Sequence, residues 1–175
     1  MKNLLLLVAL IPIIVSGQQN SNPTEIPYPN DRYIKSIDNL TLDAAYTLTN
    51  RAMKKALEMD KNVSIAILDA SGNIILISRG DNVGIHNTEA ARRKAYTALS
   101  TKTSTLELLQ KAKSNPIIEN LNTLPELLLL SGGLPIWYKG NAVGSIGVAG
   151  GGSPENDDLI AKSASINENE ITTSK

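Results

Sequence analysis

The sequence predicts an α+β domain: a mainly antiparallel sheet of about five strands, flanked by helices. Two hairpins carry that prediction. Val63-Ser64-Ile65-Ala66-Ile67-Leu68 and Ile74-Ile75-Leu76-Ile77-Ser78-Arg79 are apolar runs of strand length, joined by the turn residues Asp69-Ala70-Ser71-Gly72-Asn73. Leu134 to Lys139 and Ala142 to Ala149 face each other about Gly140-Asn141. Short turns of this chemistry make neighbouring strands antiparallel, because a parallel pair needs a long crossover. Segments of helical period before, between and after the hairpins supply the layers that pack on the sheet.

The elements follow in chain order. Thr41 is a candidate N-cap for the first helix, with Asp43 in its positive first turn. On that helix Leu42, Ala45, Tyr46, Thr49, Met53, Ala56 and Leu57 share one side, and Arg51, Lys54, Lys55 and Glu58 the other. The apolar side is expected to lie on the sheet. The first two strands are apolar on both faces, so the sheet is expected to be covered twice. A loop from Gly80 to His86 leads to a second helix around Glu89 to Ser100, with Ala91, Ala95 and Ala98 as a close-packing face. Ser104 and Glu107 are spaced as a capping box, which starts a third helix near Thr105. Leu127 to Leu130 has the length of a strand, although Pro125 and Glu126 also allow a helical turn. Ser153 and Pro154 open a last helix running to about Ile166, and the polar tail 169–175 is expected to fray. No internal repeat is present.

Before this domain stand two other segments. Lys2, the apolar Leu4 to Val15 and the small pair Ser16-Gly17 have the form of a signal peptide, residues 1–17, cleaved before Gln18. Its apolar core is too short for a membrane-spanning helix, which takes ~20 residues. Residues 18–38 contain Pro23, Pro27 and Pro29 and read as an extended arm, with the domain proper over 39–168. The mature protein is therefore expected to be exported, periplasmic or extracellular, with no membrane span after cleavage. The 17 basic and 17 acidic side chains balance, and removal of Lys2 leaves a net charge near −1. That balance argues against nucleic acid, which calls for a basic face. Phenylalanine and cysteine are absent and there is one tryptophan, so stacking platforms, disulfides and thiolate metal sites are not expected.

Several pieces, in order, resemble the GlcG/HbpS family, a haem-binding and haem-degrading-type domain also found at the C-terminus of PduO proteins. They are Ala66-Ile67-Leu68-Asp69-Ala70-Ser71-Gly72-Asn73, Arg93-Lys94-Ala95-Tyr96-Thr97-Ala98, Gly132-Gly133-Leu134-Pro135 and the run from Gly140 to Gly150. Asp157 or Asp158, with Ala161, stands where the family has an acidic residue leading its last helix. The resemblance covers residues ~40 to 166. It implies a profilin-like α-β-β-α-α-β-β-β-α fold and homo-oligomers from dimer to octamer.

The candidate chemistry centres on His86, the sole histidine, placed where a loop enters a helix. Imidazole is a common ligand of haem iron, and the resemblance makes His86 the candidate metal ligand. Tyr96 and Tyr138 are the other candidate contacts, and Arg79 or Lys94 suit a propionate or a small organic acid. Arg92 and Arg93 read as a solvated helix face. Lys94 interrupts the small-residue face and, if buried, needs a carboxylate, with Asp157 or Asp158 as candidates. That pair serves equally as a structural bridge or as a substrate clamp with the backbone N–H groups near Gly132 and Gly133.

The glycine run lacks both Gly-x-Gly-x-x-Gly and a P-loop lysine, so no nucleotide is expected, and one histidine excludes a multi-histidine zinc site. Gly144 and Gly147 are expected to admit a helix face, with Gly150 to Gly152 turning the chain. Gly144-Ser145-Ile146-Gly147 misses the spacing of a nucleophile elbow. Three readings follow: an exported oligomer that binds haem or a related tetrapyrrole, an enzyme or accessory subunit holding a small organic acid at Lys94 and Asp157, and a non-catalytic structural oligomer. The residues point to binding more than to catalysis.

Overall fold

The computed structural model describes residues 33–175. The segment expected to be a signal peptide, 1–17, and most of the expected 18–38 arm lie outside the described residues. Ser36–Lys175 forms one compact unit. Its elements are α1 (Leu42–Glu58), β1 (Ser64–Asp69), β2 (Ile74–Arg79), α2 (Ile85–Thr101), α3 (Thr105–Ala112), the single turn α4 (Pro116–Glu119), β3 (Gly133–Tyr138), β4 (Asn141–Ala149), α5 (Pro154–Lys162) and β5 (Ile171–Thr172). The α+β class and the antiparallel sheet are as the sequence predicts. Strand order is β2-β1-β4-β3-β5, with every pair antiparallel.

The alternation of side chains along each strand builds two cores. Ile65, Ile67, Leu134, Ile136, Ile146 and Val148 join Leu48 of α1 and Ile160 of α5 in the larger one. Ala66, Leu68 and Ala149 meet Ala91 and Ala95 of α2 on the opposite face. The sheet therefore lies between α1 and α5 on one side and α2 on the other. Three caps sit where the sequence places them: Thr41 Oγ1 accepts from Ala44 N at 3.2 Å, Ser104 Oγ from Glu107 N at 3.1 Å, and Ser153 Oγ from Asn156 N at 3.2 Å.

The β1–β2 turn is held by Asp69. Its Oδ1 accepts from the backbone N–H groups of Ser71 and Asn73, each at 2.8 Å, and its Oδ2 accepts from Asn73 Nδ2 at 3.0 Å. Burial pushes this carboxyl up, but the bonds from Asn73, Ser71 and Asn39 outweigh it and hold the group below its ordinary value of 3.8. A depressed carboxyl contributes stability that is present above its unfolded pKa and lost as pH falls through the folded one. Asp69→Ala should therefore cost about 1–3 kcal/mol at neutral pH. Urea unfolding of both proteins should show that gap narrowing once the pH drops below 3.8. A gap independent of pH would show that the carboxylate is not what holds the turn.

Four local expectations are corrected. The α1 face read as core is divided: Ala45, Thr49 and Ala56 are buried, joined by Leu48 and Ala52 from outside that reading, while Leu42, Tyr46, Met53 and Leu57 are exposed. Small residues and Leu48 face the sheet, and the other large apolar groups of α1 turn outward. Second, α2 begins at Ile85 rather than Glu89, capped by the extended backbone of Gly84 with no side-chain bond. Third, Leu127 to Leu130 is not a strand. Its Leu127 and Leu129 pack on Leu108 and Ala112, and Leu128 N donates to Thr97 Oγ1 at 2.8 Å. The fifth strand comes instead from the tail expected to fray, where Ile171 and Thr172 pair with Tyr138 and Trp137. Fourth, α5 ends at Lys162, short of Ile166.

Candidate functional site

Glycines set how closely α2 approaches the sheet. A Cβ on Gly147 would stand 2.7 Å from Ala95 N and would collide with Ala91 O. A Cβ on Gly133 would stand 2.7 Å from Thr105 Cγ2 and would collide with Lys94 O. Gly144 does not join them. Three residues from Gly147, it faces the other side of the sheet, where Leu40 packs against it. Thr105 closes the contact from α3: its Oγ1 accepts from Gly133 N at 2.8 Å. No pattern in the sequence points to that residue.

With α2 so close, Lys94 projects into the junction of β4 and α5. Its Nζ donates to Asp157 Oδ2 at 2.7 Å and to Val148 O at 2.9 Å. The side chains are 4% and 11% exposed. The other carboxylate oxygen of Asp157 accepts from Gly151 N at 2.8 Å. Asp157 also lies in the first turn of α5, where the helix dipole favours a negative charge. Gly132, at φ +106°, leaves room for Asp157 Cβ. Asp158 takes no part in this pair, since its Oδ2 bridges Lys162 Nζ at 2.6 Å. Both groups of the Lys94–Asp157 pair are thus engaged inside the chain. The geometry is that of a bolt between α2, β4 and α5.

Lys94 and Gly132 therefore meet at Asp157, while Gly133 lies against the Lys94 backbone and Thr105. His86, at the start of α2, and Arg79, at the end of β2, lie elsewhere. His86 precedes Lys94 by eight residues on the same helix, roughly 12 Å along its axis. Its ring is exposed, folds back towards Gly84, and makes no hydrogen bond among the described residues. The neighbouring Ile85 is 76% exposed. Arg79 Nε donates to Val83 O at 2.8 Å, which ties the loop before α2 to the end of β2. Tyr96 packs near Gly72 and against both the α2 and the α3 clusters. Tyr138 sits half-buried against the larger core, at a small pocket of about 200 Å³ shared with Leu40 and Val143.

Arg92 and Arg93 are not a solvated face. Arg92 bridges Glu89 and Glu126, each at 2.7 Å, and Arg93 donates to Leu127 O at 2.7 Å. Hydrogen bonding to Arg92 is the main cause holding Glu89 below the usual carboxylate range. Together the two arginines pin the 126–127 segment onto α2. A wider cleft of about 410 Å³, lined by Lys102, Ser104, Pro135, Trp137 and Asn141 among others, contains none of His86, Arg79, Lys94, Tyr96, Gly132 and Gly133.

A single five-stranded antiparallel sheet between two helical layers, with a glycine-seated helix bolted to the last one, defines the profilin-like α+β class. The chain belongs to the HbpS-like family, whose description is haem degrading protein, and the match covers residues 40–165. A protein of Citrobacter freundii from the dhaT-dhaS intergenic region, of 15.0 kDa, is 30% identical over 132 residues, 74% of this chain and 92% of that one. The crystal structure of a double mutant of Streptomyces reticuli HbpS is 31% identical, with a TM-score of 0.70 over 90% of this chain and 96% of that one. The crystal structure of a PduOC–haem complex is 28% identical, with a TM-score of 0.68 over 78% of this chain and 99% of that one.

Proposed function

We propose that this is an exported, self-associating protein that binds haem or a related tetrapyrrole, with His86 as the side chain that meets the iron. Family membership and the similarity to a haem-bound relative support the ligand class. The observation that carries the site is the start of α2. There an exposed imidazole without a hydrogen-bond partner among the described residues stands beside an exposed isoleucine. Those groups fit the ligand chemically: a nitrogen donor for iron and an aliphatic surface for the ring. Arg79, held through Nε, keeps its terminal guanidinium nitrogens for a propionate. Bound haem would supply iron chemistry, and the chain's own part is to hold and orient it. Export rests on the signal-peptide form of residues 1–17.

The organic-acid reading is weaker, because Lys94 and Asp157 already satisfy each other. Titration of the purified protein with hemin tests the proposal. A saturable Soret shift at micromolar protein is expected, and His86→Ala should weaken it about tenfold or more or change its position. A shift untouched by the mutation would remove His86 from the site. No saturable shift at all would leave the structural-oligomer reading in its place.

A further inference from the structure

The outward face of α1 is organised in a way that neither the core nor the haem site uses. Leu42, Tyr46, Met53 and Leu57 are 51%, 51%, 37% and 69% exposed. Steps of four, seven and four residues keep them within roughly 60° of one line along the helix. Scattered exposed apolar residues need no explanation, but an aligned set on a helix marks a contact surface.

The stripe is also palindromic. Leu42 and Leu57 share a centre between Thr49 and Asn50, close to the helix midpoint, and Tyr46 and Met53 share the same one. Beside the stripe, on one flank, lie Asp43 and Lys54, whose own midpoint falls within one residue of the same place. Neither has an ion-pair partner among the described residues, whereas Lys55 pairs with Glu58 and Arg51 with Glu168. When two helices pair antiparallel about a two-fold axis, the same flank of each faces the other. Position 43 of one then meets position 54 of its mate.

We propose that α1 is a self-association surface on which a second copy of this chain docks antiparallel. Leu42 lies on Leu57 of the mate, Tyr46 on Met53, and Asp43 pairs with Lys54 at both ends. A two-fold contact is self-complementary by construction, and this helix carries that pattern in apolar groups and in charge alike. The inference gives a place to the self-association in the functional reading above and is independent of haem.

The test is the oligomeric state of the full protein by light scattering and sedimentation. The wild type should self-associate, and Leu57→Glu should weaken that association at least about tenfold, since it sets a charge in an apolar contact. Asp43→Lys and Lys54→Asp should each weaken it, and the double exchange should restore it. Only antiparallel pairing of α1 with itself gives that restoration. Circular dichroism of each variant checks that α1 remains folded, and Leu57→Glu, at an exposed last-turn position, keeps the test valid if a first-turn change does not. A wild type that stays monomeric, an oligomer indifferent to Leu57→Glu, or a double exchange no better than either single change would each overturn the proposal. Hemin titration of Leu57→Glu separates the two readings, because loss of association there should leave the His86-dependent shift in place.

Discussion

Replacing Lys94 with methionine should destabilise the domain by about 3–5 kcal/mol, the cost of leaving a buried charge without its partner. Asp157 would keep only the bond from Gly151 N, in surroundings that leave its side chain 11% exposed. Val148 O would lose its ammonium donor as well. Against a total stability of about 5–15 kcal/mol, that loss is a large fraction of the fold. Asp157→Leu alone should cost a similar amount, for the mirror reason. The double change, Lys94→Met with Asp157→Leu, should cost less than the two singles added, because it leaves no orphaned charge. Denaturant unfolding of the four proteins gives the coupling energy directly. Additive losses, or a Lys94→Met cost under ~1 kcal/mol, would mean that the pair is not the bolt between α2, β4 and α5.

The sequence discloses what local chemistry decides. Turn residues between apolar runs mark both hairpins, and the caps at Thr41, Ser104 and Ser153 are side-chain bonds across three residues. What depends on distant partners is hidden. Periodicity shows that α1 has an apolar side but not which edge of it meets the sheet, and the edge with Ala45, Ala52, Ala56 and Leu48 took that place. Asp157 and Asp158 are adjacent, yet they point about 100° apart on a helix, so only the placement of α5 selects the partner of Lys94. Arg92 reads as a solvated side chain until Glu126, 34 residues away, is folded against it. The two-residue β5 carries too little pattern to signal a strand, and its pairing depends on where β3 ends. At the candidate site, His86 draws notice in the sequence as the sole histidine, but its exposure at the start of α2 is not legible there. The separation of Lys94 and Tyr96 from it is not legible either, since both follow on the same helix but face other surroundings.

Gly147→Ala should be as damaging as the loss of Lys94, although it adds a single methyl group. The new Cβ would meet Ala91 O and, at 2.7 Å, Ala95 N. Both are backbone atoms of a regular helix, unable to swing aside as the end of a side chain does, and Gly147 is fixed by pairing with Ala66 on one side and Gly133 on the other. Relief requires α2 to lift from the sheet, so the cost should reach or exceed the upper end of the ~1–3 kcal/mol usual for overpacking. Gly140→Ala is the control. That glycine has φ +80° and open space around its missing Cβ, so its replacement should show only the left-handed backbone penalty, about 1–2 kcal/mol. A lifted α2 also withdraws Lys94, one turn on from Ala91, from Asp157. Lys94→Met should therefore cost less in the Gly147→Ala background than in the wild type, with a coupling of about 1 kcal/mol or more. Equal costs in the two backgrounds would show that seating α2 on glycine and closing the ion pair are separate events. A shared loss would show that the glycine run and the buried lysine are two halves of one packing device.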